Sequence, residues 1–263
     1  MTAQQHLPLI PDQRREQLLR HLRKEGVLSV QQITQLFNVS HMTVRRDIAE
    51  LERQGLVFSV PGGVRIASHL STEPSFQDKA RVEQPAKAAM ASEAARLVTE
   101  GMTVYLDAGT TLIAMVPELA RLSELTVVTN DFDTAEQLMA SPHLDIIHTG
   151  GRIDTANRSS VGRLGAATLR QLALDLAFIS SSSWDLLRGV TTPSEPKVDV
   201  KQAAMESAAG SVLVAGSSKF GTFGKYRVAP LTAFDTVITD NALAEGAVTG
   251  IRESGCELRL TQT

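Results

Sequence analysis

The sequence predicts an α/β protein in two parts: a small helical domain closed by a β-hairpin, and a larger domain on a mostly parallel sheet. Three observations predict it. Apolar residues recur at helical spacing in three segments before residue 55. Two short strand-like runs then flank a Pro-Gly-Gly turn at residues 61–63. From residue 87 onward, runs rich in Val and Ile that end in Gly, Ser, Asp or Asn alternate with helix-like stretches.

Residues 12–25, DQRREQLLRHLRKE, carry Leu18, Leu19 and Leu22 at helical spacing, with Asp12 as the expected N-cap and Gly26 as the stop. In SVQQITQLF, residues 29–37, Ser29 is the expected cap, Ile33 and Leu36 are expected to face inward, and Asn38-Val39-Ser40 breaks the helix. Ser40 then caps a third helix, where Val44, Ile48 and Leu51 fall at i, i+4 and i+7 on one buried face, and Gly55 ends it. LVFSV and VRIAS read as two strands joined at Pro61-Gly62-Gly63. Three short helices followed by a hairpin outline a winged helix-turn-helix over residues 1–67. Residues 68–86 have few large apolar side chains and two prolines, and read as a linker that packs in part on the domain after it. Residues 87–263 hold the α/β domain, with strands expected in TVYLDAG, LTVVTN, LDIIHTG, LAFISSSS, SVLVAGSS and DTVITD.

Composition narrows the function classes. A hydrophobic fraction of 43% is ordinary for a globular protein and allows a packed core. The net charge of −3 argues against a wholly basic nucleic-acid binder, but it is uneven: residues 1–66 carry nine Lys/Arg against six Asp/Glu, and the remainder 17 against 23. Cys256, the single cysteine, leaves no internal disulfide and suits a reducing compartment. No apolar run approaches the ~18 residues of a membrane span, and MTAQQHLPLIPDQRREQ lacks the apolar region of a signal peptide. A cytoplasmic protein without a membrane partner is expected. The six histidines show no metal-ligand spacing, and His143 and His148 read as structural, so neither metal nor cofactor is expected. GTFGKY is too short for a P-loop, and Pro196 interrupts the S-x-x-K formed by Ser194 and Lys197.

The third helix raises the functional question. With Val44, Ile48 and Leu51 turned inward, residues 41–43, 45 and 46 flank the buried stripe in its first turns. In a helix-turn-helix, these positions meet base edges in the major groove, where arginine binds guanine or clamps phosphate. The candidates for contacting double-stranded operator DNA are therefore Ser40, His41, Thr43, Arg45 and Arg46, with Arg65 from the wing. Asp47 is placed to orient a neighbouring arginine.

These residues carry a resemblance. From Arg14 to Ile48 the chain resembles the DeoR family of bacterial transcription regulators: Arg14, Leu18 and Leu22 spaced by fours, then Ser40, Thr43, Val44, Arg45, Arg46, Asp47 and Ile48 at fixed gaps, followed by LERQGLVFSVPGGV. The likeness continues to about residue 240 through EPSFQDKARVEQPAKAAMASEAARLVTEGMTVYLDAGTT. It implies a sensor domain with a fold related to ribose-5-phosphate isomerase and glucosamine-6-phosphate isomerase, which binds a small phosphorylated metabolite and alters DNA affinity. The resemblance thus implies a repressor of a carbohydrate-metabolism operon and not an enzyme. Because one winged helix buries little DNA surface and two can pair on half-sites, a homo-oligomer (dimer or tetramer) is expected.

The residues point the same way. Asp107-Ala108-Gly109-Thr110-Thr111 joins a strand to a predicted helix, where glycine allows close backbone approach and helix N–H groups with two threonine hydroxyls offer a phosphate cradle. A routine turn with threonine caps explains the same letters. Other polar strand ends are Thr129-Asn130, Gly150-Gly151-Arg152, Ser180 to Ser183 with Ser181 as the candidate, and Ser217-Ser218-Lys219. Ligands collect beyond the carboxyl ends of strands in open α/β sheets. Lys219 resembles the lysine that follows a strand in the isomerase-like fold, while Lys87, Lys197 and Lys201 offer further positive charge. Trp184 lines the pocket or packs the core. The chain departs from the family at Gly216, where Asp is common, and in ISSSSWDLLRGV, which replaces a glycine-containing loop; a ligand different from the commonest ones is implied. The rival reading is a sugar-phosphate isomerase with an accessory helical domain, for which Asp185 is the surviving carboxylate near that loop.

Overall fold

A computed structural model describes residues 9–262; expectations that rest on the first eight residues lie outside the described residues. The chain forms two compact units. One runs to Ser68 and includes Ala244–Ala247; the other comprises His69–Leu243 with the chain from Val248 onward.

In the first unit, α1 (Pro11–Glu25) is followed by β1 (Val27–Ser29), α2 (Val30–Phe37), α3 (His41–Arg53), β2 (Val57–Val60) and β3 (Gly63–Ile66). Helix α1 starts one residue before Asp12. Proline suits the first helical position because its missing N–H would be unpaired there anyway, so Ile10 stands at the cap and Asp12 lies inside the first turn. Gly26 closes the helix at φ 78°, its N–H reaching Leu22 O at 2.8 Å. Ser29 and Gln32 cap α2 reciprocally, and Asn38 ends it in the left-handed region at φ 49°. Leu36, expected inward, is 46% exposed; Ile33 and the half-buried Phe37 four residues on face the core instead. Ser40 caps α3 by accepting from Thr43 N. Leu18, Leu22, Leu28, Ile33, Val44, Ile48, Leu51, Val57 and Val64 form one core, each side chain contributing about 1.5–3 kcal/mol by leaving water. The hairpin is a three-stranded antiparallel sheet in the order β1-β3-β2, because Val27–Ser29 pair with β3. Gly63 is needed there, since a Cβ would collide with the Leu28 carbonyl oxygen.

The second unit opens with β4 (Ser68–His69, its first residue at the unit boundary), α4 (Phe76–Ala80) and α5 (Gln84–Ala95). The segment read as a linker is thus built into this unit: Phe76 N donates to Ala156 O at 3.0 Å and Leu70 N to Phe223 O at 2.8 Å. Next come β5 (Thr103–Leu106), α6 (Val116–Leu119), β6 (Thr126–Thr129), α7 (Phe132–Leu138), β7 (Asp145–His148), β8 (Arg152–Asp154), β9 (Ser159–Val161) and α8 (Arg163–Leu169). Then follow β10 (Leu174–Ser180), β11 (Ser183–Asp185), β12 (Gly189–Thr192), α9 (Glu195–Glu206), β13 (Ala208–Val214), β14 (Thr222–Phe223) and β15 (Tyr226–Ala229). The chain closes with β16 (Thr236–Asp240), α10 (Glu245–Glu253) and β17 (Glu257–Thr261). Seven strands form a parallel sheet in the order β17-β16-β13-β10-β5-β6-β7. Val104, Leu106, Val127, Phe178, Val212, Val214 and Ile238 from its strands pack with α5 through Met90, Ala91 and Ala94. Strands buried on both faces read as near-continuous apolar runs, which is why they are visible in the sequence.

Candidate functional site

Two places concentrate chemistry, one in each unit. On α3, His41, Met42, Arg45 and Arg46 are exposed and Thr43 is half-buried. Ser40 Oγ and Thr43 Oγ1 lie 3.0 Å apart, so both hydroxyls are spent in part on the cap. Among the described residues, neither Arg45 nor Arg46 pairs with a carboxylate. Asp47 does not orient them. It is 3% exposed and takes Arg14 of α1 through two oxygens, with Arg15 Nη1 at 3.7 Å, so it ties α1 to α3. The reason is helical geometry: Asp47 sits on the stripe of Val44, Ile48 and Leu51, whereas the arginines point away from it. Arg65 on β3 is half-buried, with its guanidinium carbon 5.7 Å from the centre of the Phe58 ring.

The second place lies where the strand order reverses. Strand β5 pairs with β6 on one side and β10 on the other, and such a switch point leaves a crevice beyond the carboxyl ends of the strands. Asp107 follows β5 and Ser180 ends β10. Asp107 Oδ2 accepts from Ser180 N at 3.0 Å and Ser180 Oγ at 2.8 Å, and pairs with Lys201 of α9, which also donates to Ser180 O at 2.9 Å. Asp107 and Lys201 are buried at 2% and 6% exposure. Such a pair pins the two strand ends together. Asn130 holds the next loop: its Oδ1 accepts from Tyr105 OH at 2.8 Å and Ala108 N at 2.9 Å, and its Nδ2 donates to Ser160 O.

Beyond Ala108, the amides of Gly109, Thr110 and Thr111 have no acceptor among the described residues, although both threonines are buried. The expected helix is absent here: the chain turns into a single 3₁₀ turn, Ile113–Met115, and then the four-residue α6. Any anion would therefore be held by individual N–H groups and hydroxyls, not by a helix dipole. A Cβ on Gly109 would lie 3.0 Å from Ser180 Oγ, so the bare backbone is also required by the strand end beside it.

The cleft beside this turn is lined by Glu73, Asp107, Ala108, Asn130, Ser159, Ser180, Ser182, Thr192, Lys197 and Lys201. Glu73 stands between two lysines, with Lys79 Nζ at 2.5 Å and Lys197 Nζ at 2.6 Å. Burial works to raise its carboxyl, but Lys197 and Lys79 outweigh that and hold it down to about 2. Lys197 also lies 3.4 Å from Asp154. Ser182 is shared with a second hollow walled by Leu70, Pro74 and Val82, which contains Lys79 and Lys219. Among the described residues no carboxylate pairs with Lys219, and burial together with Lys79 and Lys87 lowers its amine to about 8.

The structure brings Asp107, Asn130, Lys197 and Lys201 to the cleft, Gly109 to Thr111 directly after it, and Lys219 to the adjoining hollow. Others stand elsewhere. Thr129 is fully buried, its hydroxyl donating to Leu106 O and accepting from Asp131 N. Gly150 turns the chain in the left-handed region at φ 64°, Gly151 allows a close approach to α8, where its Cβ would meet Gly165 N at 3.0 Å, and Arg152 is exposed on β8 outside the cleft. Ser181 is spent on Ser183, while its neighbours Ser180 and Ser182 line the cleft. Lys87 donates to Lys79 O and Val82 O at the start of α5. Trp184 is core: fully buried, edge-on to Phe220 at 4.9 Å, its Nε1 donating to Gly216 O. Glu73, Lys79, Ser159, Ser180, Ser182 and Thr192 are cleft and hollow residues that sequence reasoning does not single out. Only Ser180 and Ser182, inside the serine run, leave a signal in the sequence.

Comparison with known proteins decides the family. Residues 14–69 match the DeoR-like helix-turn-helix domain, and residues 82–241 match the DeoR C-terminal sensor domain. The chain belongs to the DeoR family. It is 43% identical to an HTH-type transcriptional regulator of Haemophilus influenzae over 96% of this chain and 98% of that one. It is 44% identical to the HTH-type transcriptional regulator YgbI of Escherichia coli K12, over 91% and 93%. It is also 31% identical to the transcriptional repressor AccR of Agrobacterium fabrum, over 87% and 89%. Among solved structures, ribose 5-phosphate isomerase A from Methanocaldococcus jannaschii shares 17% identity over 51% of this chain and 53% of that one at TM-score 0.38, a likeness too distant to bear on chemistry. This DeoR-family protein is a ligand-responsive, DNA-binding transcriptional regulator, not an enzyme. The carboxylate on which the isomerase reading leaned is committed elsewhere: Asp185 closes the β11–β12 turn by accepting from the backbone N–H and the guanidinium of Arg188. No described helix is long and apolar enough to cross a membrane.

Proposed function

We propose that this regulator represses a carbohydrate-metabolism operon in the cytoplasm and is released when a phosphorylated sugar or sugar acid fills the cleft at the switch point. The observation that carries the reading is the run of amides at Gly109, Thr110 and Thr111 without acceptors among the described residues, beside a cleft that holds Lys197, with Lys219 in the adjoining hollow forming no ion pair among those residues. Buried N–H groups without partners are costly, and an anionic oxygen satisfies them. The same chemistry suits phosphate, whose three oxygens take several donors at once.

On the DNA side, Ser40, His41, Thr43, Arg45, Arg46 and Arg65 are the residues assigned to the operator. Arg45 and Arg46, exposed and without carboxylate partners, supply base or phosphate contacts. Arg65, braced on Phe58, approaches the backbone from the wing. A homo-oligomer, dimer or tetramer, places two such helices on paired half-sites and multiplies specificity. A strictly monomeric mass at micromolar concentration would count against that part.

The test is a thermal-shift screen with phosphorylated sugars, sugar alcohols and sugar acids, followed by operator release with each hit. A true effector at 100 times its Kd adds about 2.7 kcal/mol of stability. Hits that stabilise the protein yet leave operator affinity unchanged would remove the effector role, and a screen without hits would remove the phosphate cradle.

A further inference from the structure

The cleft already holds a carboxylate, its own. Glu73 lies in the segment after the boundary between the units at Ser68, and its two oxygens face Lys79 and Lys197, one each. Both lysines are largely buried, at 15% and 11% side-chain exposure, and Glu73 at 13%. Lys79 is further held by Asn157 Oδ1, and Lys197 by Asp154, so the lysine pair keeps its place from α4 and α9 independently of Glu73. Glu73 has no such second tie. Among the described residues its carboxylate meets the two lysines alone, and it sits on an irregular stretch between β4 and α4.

With Glu73 in place the cleft is close to charge balance: Lys201 is matched by Asp107, and Lys79 and Lys197 by Glu73 and Asp154. A neutral cleft offers an anionic ligand little long-range attraction. If Glu73 leaves, two buried ammonium groups remain with a gap between them already shaped to a carboxylate. A ligand carboxylate replaces Glu73 like for like, with the same donors and the same charge.

We propose that Lys79 and Lys197 form a carboxylate subsite that Glu73 occupies in the unliganded regulator, and that the effector's own carboxylate displaces Glu73 and frees residues 69–75, the stretch before α4, from the cleft. This rests on the reading of the switch-point cleft as the effector site. It narrows the effector to a phosphorylated sugar acid, with phosphate on the amides of residues 109–111 and carboxylate on the lysine pair. It also provides a link to the first unit, because the chain segment released begins directly after that unit ends.

The test uses matched probes on the full chain: 3-phosphoglycerate against glycerol 3-phosphate, erythronate 4-phosphate against erythritol 4-phosphate, and gluconate 6-phosphate against sorbitol 6-phosphate. Calorimetry is run on the wild type and on Glu73→Gln, with melting curves to show that the variant folds. At least one acid should bind about tenfold or more tightly than its alcohol, and Glu73→Gln should bind that acid more tightly still, because the internal competitor is weakened. Equal binding of acid and alcohol by both proteins would overturn the subsite while leaving the phosphate cradle standing. Tighter acid binding by the wild type that weakens in Glu73→Gln would make Glu73 a ligand contact and overturn displacement. If none of the six binds either protein, both the subsite and the cradle fail. Hydrogen exchange needs no substitution: the bound acid should speed exchange of the wild-type amides of residues 70–75, ahead of α4, and unchanged or slower exchange there would overturn the release.

Discussion

Among the described residues, Arg45 and Arg46 stand exposed on α3 without carboxylate partners, whereas in the second unit Lys201 is buried, Lys79 and Lys197 are largely buried, and each is tied to a carboxylate. The difference reflects the medium each cation occupies while it waits. An exposed arginine is stabilised by water until it meets a polyanion, and it then gains by releasing the polyanion's counterions. A buried lysine has no water to fall back on, so the fold must supply its counter-charge from within. On the proposed reading, the first unit keeps its DNA-contacting arginines free, while the second exchanges one partner for another. Lys87 and Lys219 stand apart: among the described residues neither pairs with a carboxylate, Lys87 is tied to two backbone carbonyls instead, and burial lowers both amines, that of Lys219 to about 8.

The largest effect should come from Arg14 and Asp47, the charged residues buried among the described residues of the first unit. Arg14→Leu leaves Asp47 buried with only the more distant Arg15, and should cost about 3–5 kcal/mol in chemical denaturation. A loss below about 1 kcal/mol would mean that the pair does not hold α1 to α3. Next is Glu73. Because its folded carboxyl lies near 2 against 4.5 unperturbed, its contribution is complete above 4.5 and is lost as pH falls from there towards 2. Wild type should lose about 2–3 kcal/mol more than Glu73→Gln across that window, measured as the difference between their stability curves. Parallel curves would show that Glu73 is not held by the lysines.

Gly109→Val should weaken effector binding by about tenfold or more, roughly 1.4 kcal/mol, through the added side chain and its contact with Ser180. Operator affinity in the absence of effector should be unchanged by electrophoretic shift, because the substitution lies in the other unit. A joint loss of both would break the separation of the two sites. The smallest effect is a gain. Lys219→Met removes a charge that burial disfavours and should stabilise the protein by about 1 kcal/mol at neutral pH, while weakening but not abolishing the effector. Wild-type stability should also rise between pH 8 and 10.5, where the unfolded chain binds the extra proton, and the variant should lack that rise.

The same contrast explains what was legible in the sequence. The caps at Ser29 and Ser40, the stops at Gly26, Asn38 and Gly55, and six of the seven central strands follow from local chemistry and periodicity. The arginine pair could be placed because an exposed residue on a helix needs only the buried stripe to locate it. β1 was not visible, because three residues between two helices pair only with a strand some 35 residues on. Glu73 was hidden for a similar reason: its partner Lys197 lies 124 residues away, and few large apolar residues surround it in the chain. Gly150-Gly151-Arg152 has the letters of an anion loop, but Gly150 serves a left-handed turn and Gly151 answers a packing demand from Gly165 that no local pattern reveals.

The most direct test of the exposed cations is operator binding by the double variant Arg45→Ala, Arg46→Ala, followed by fluorescence anisotropy across a salt series. Two lost contacts at about 1–3 kcal/mol each should weaken binding by roughly 100-fold or more, and the slope of affinity against salt should fall by about one to two contacts. Melting temperature and effector binding should stay at wild-type values. A double variant that binds the operator with wild-type affinity and an unchanged salt slope would contradict the assignment of α3 as the helix that reads DNA.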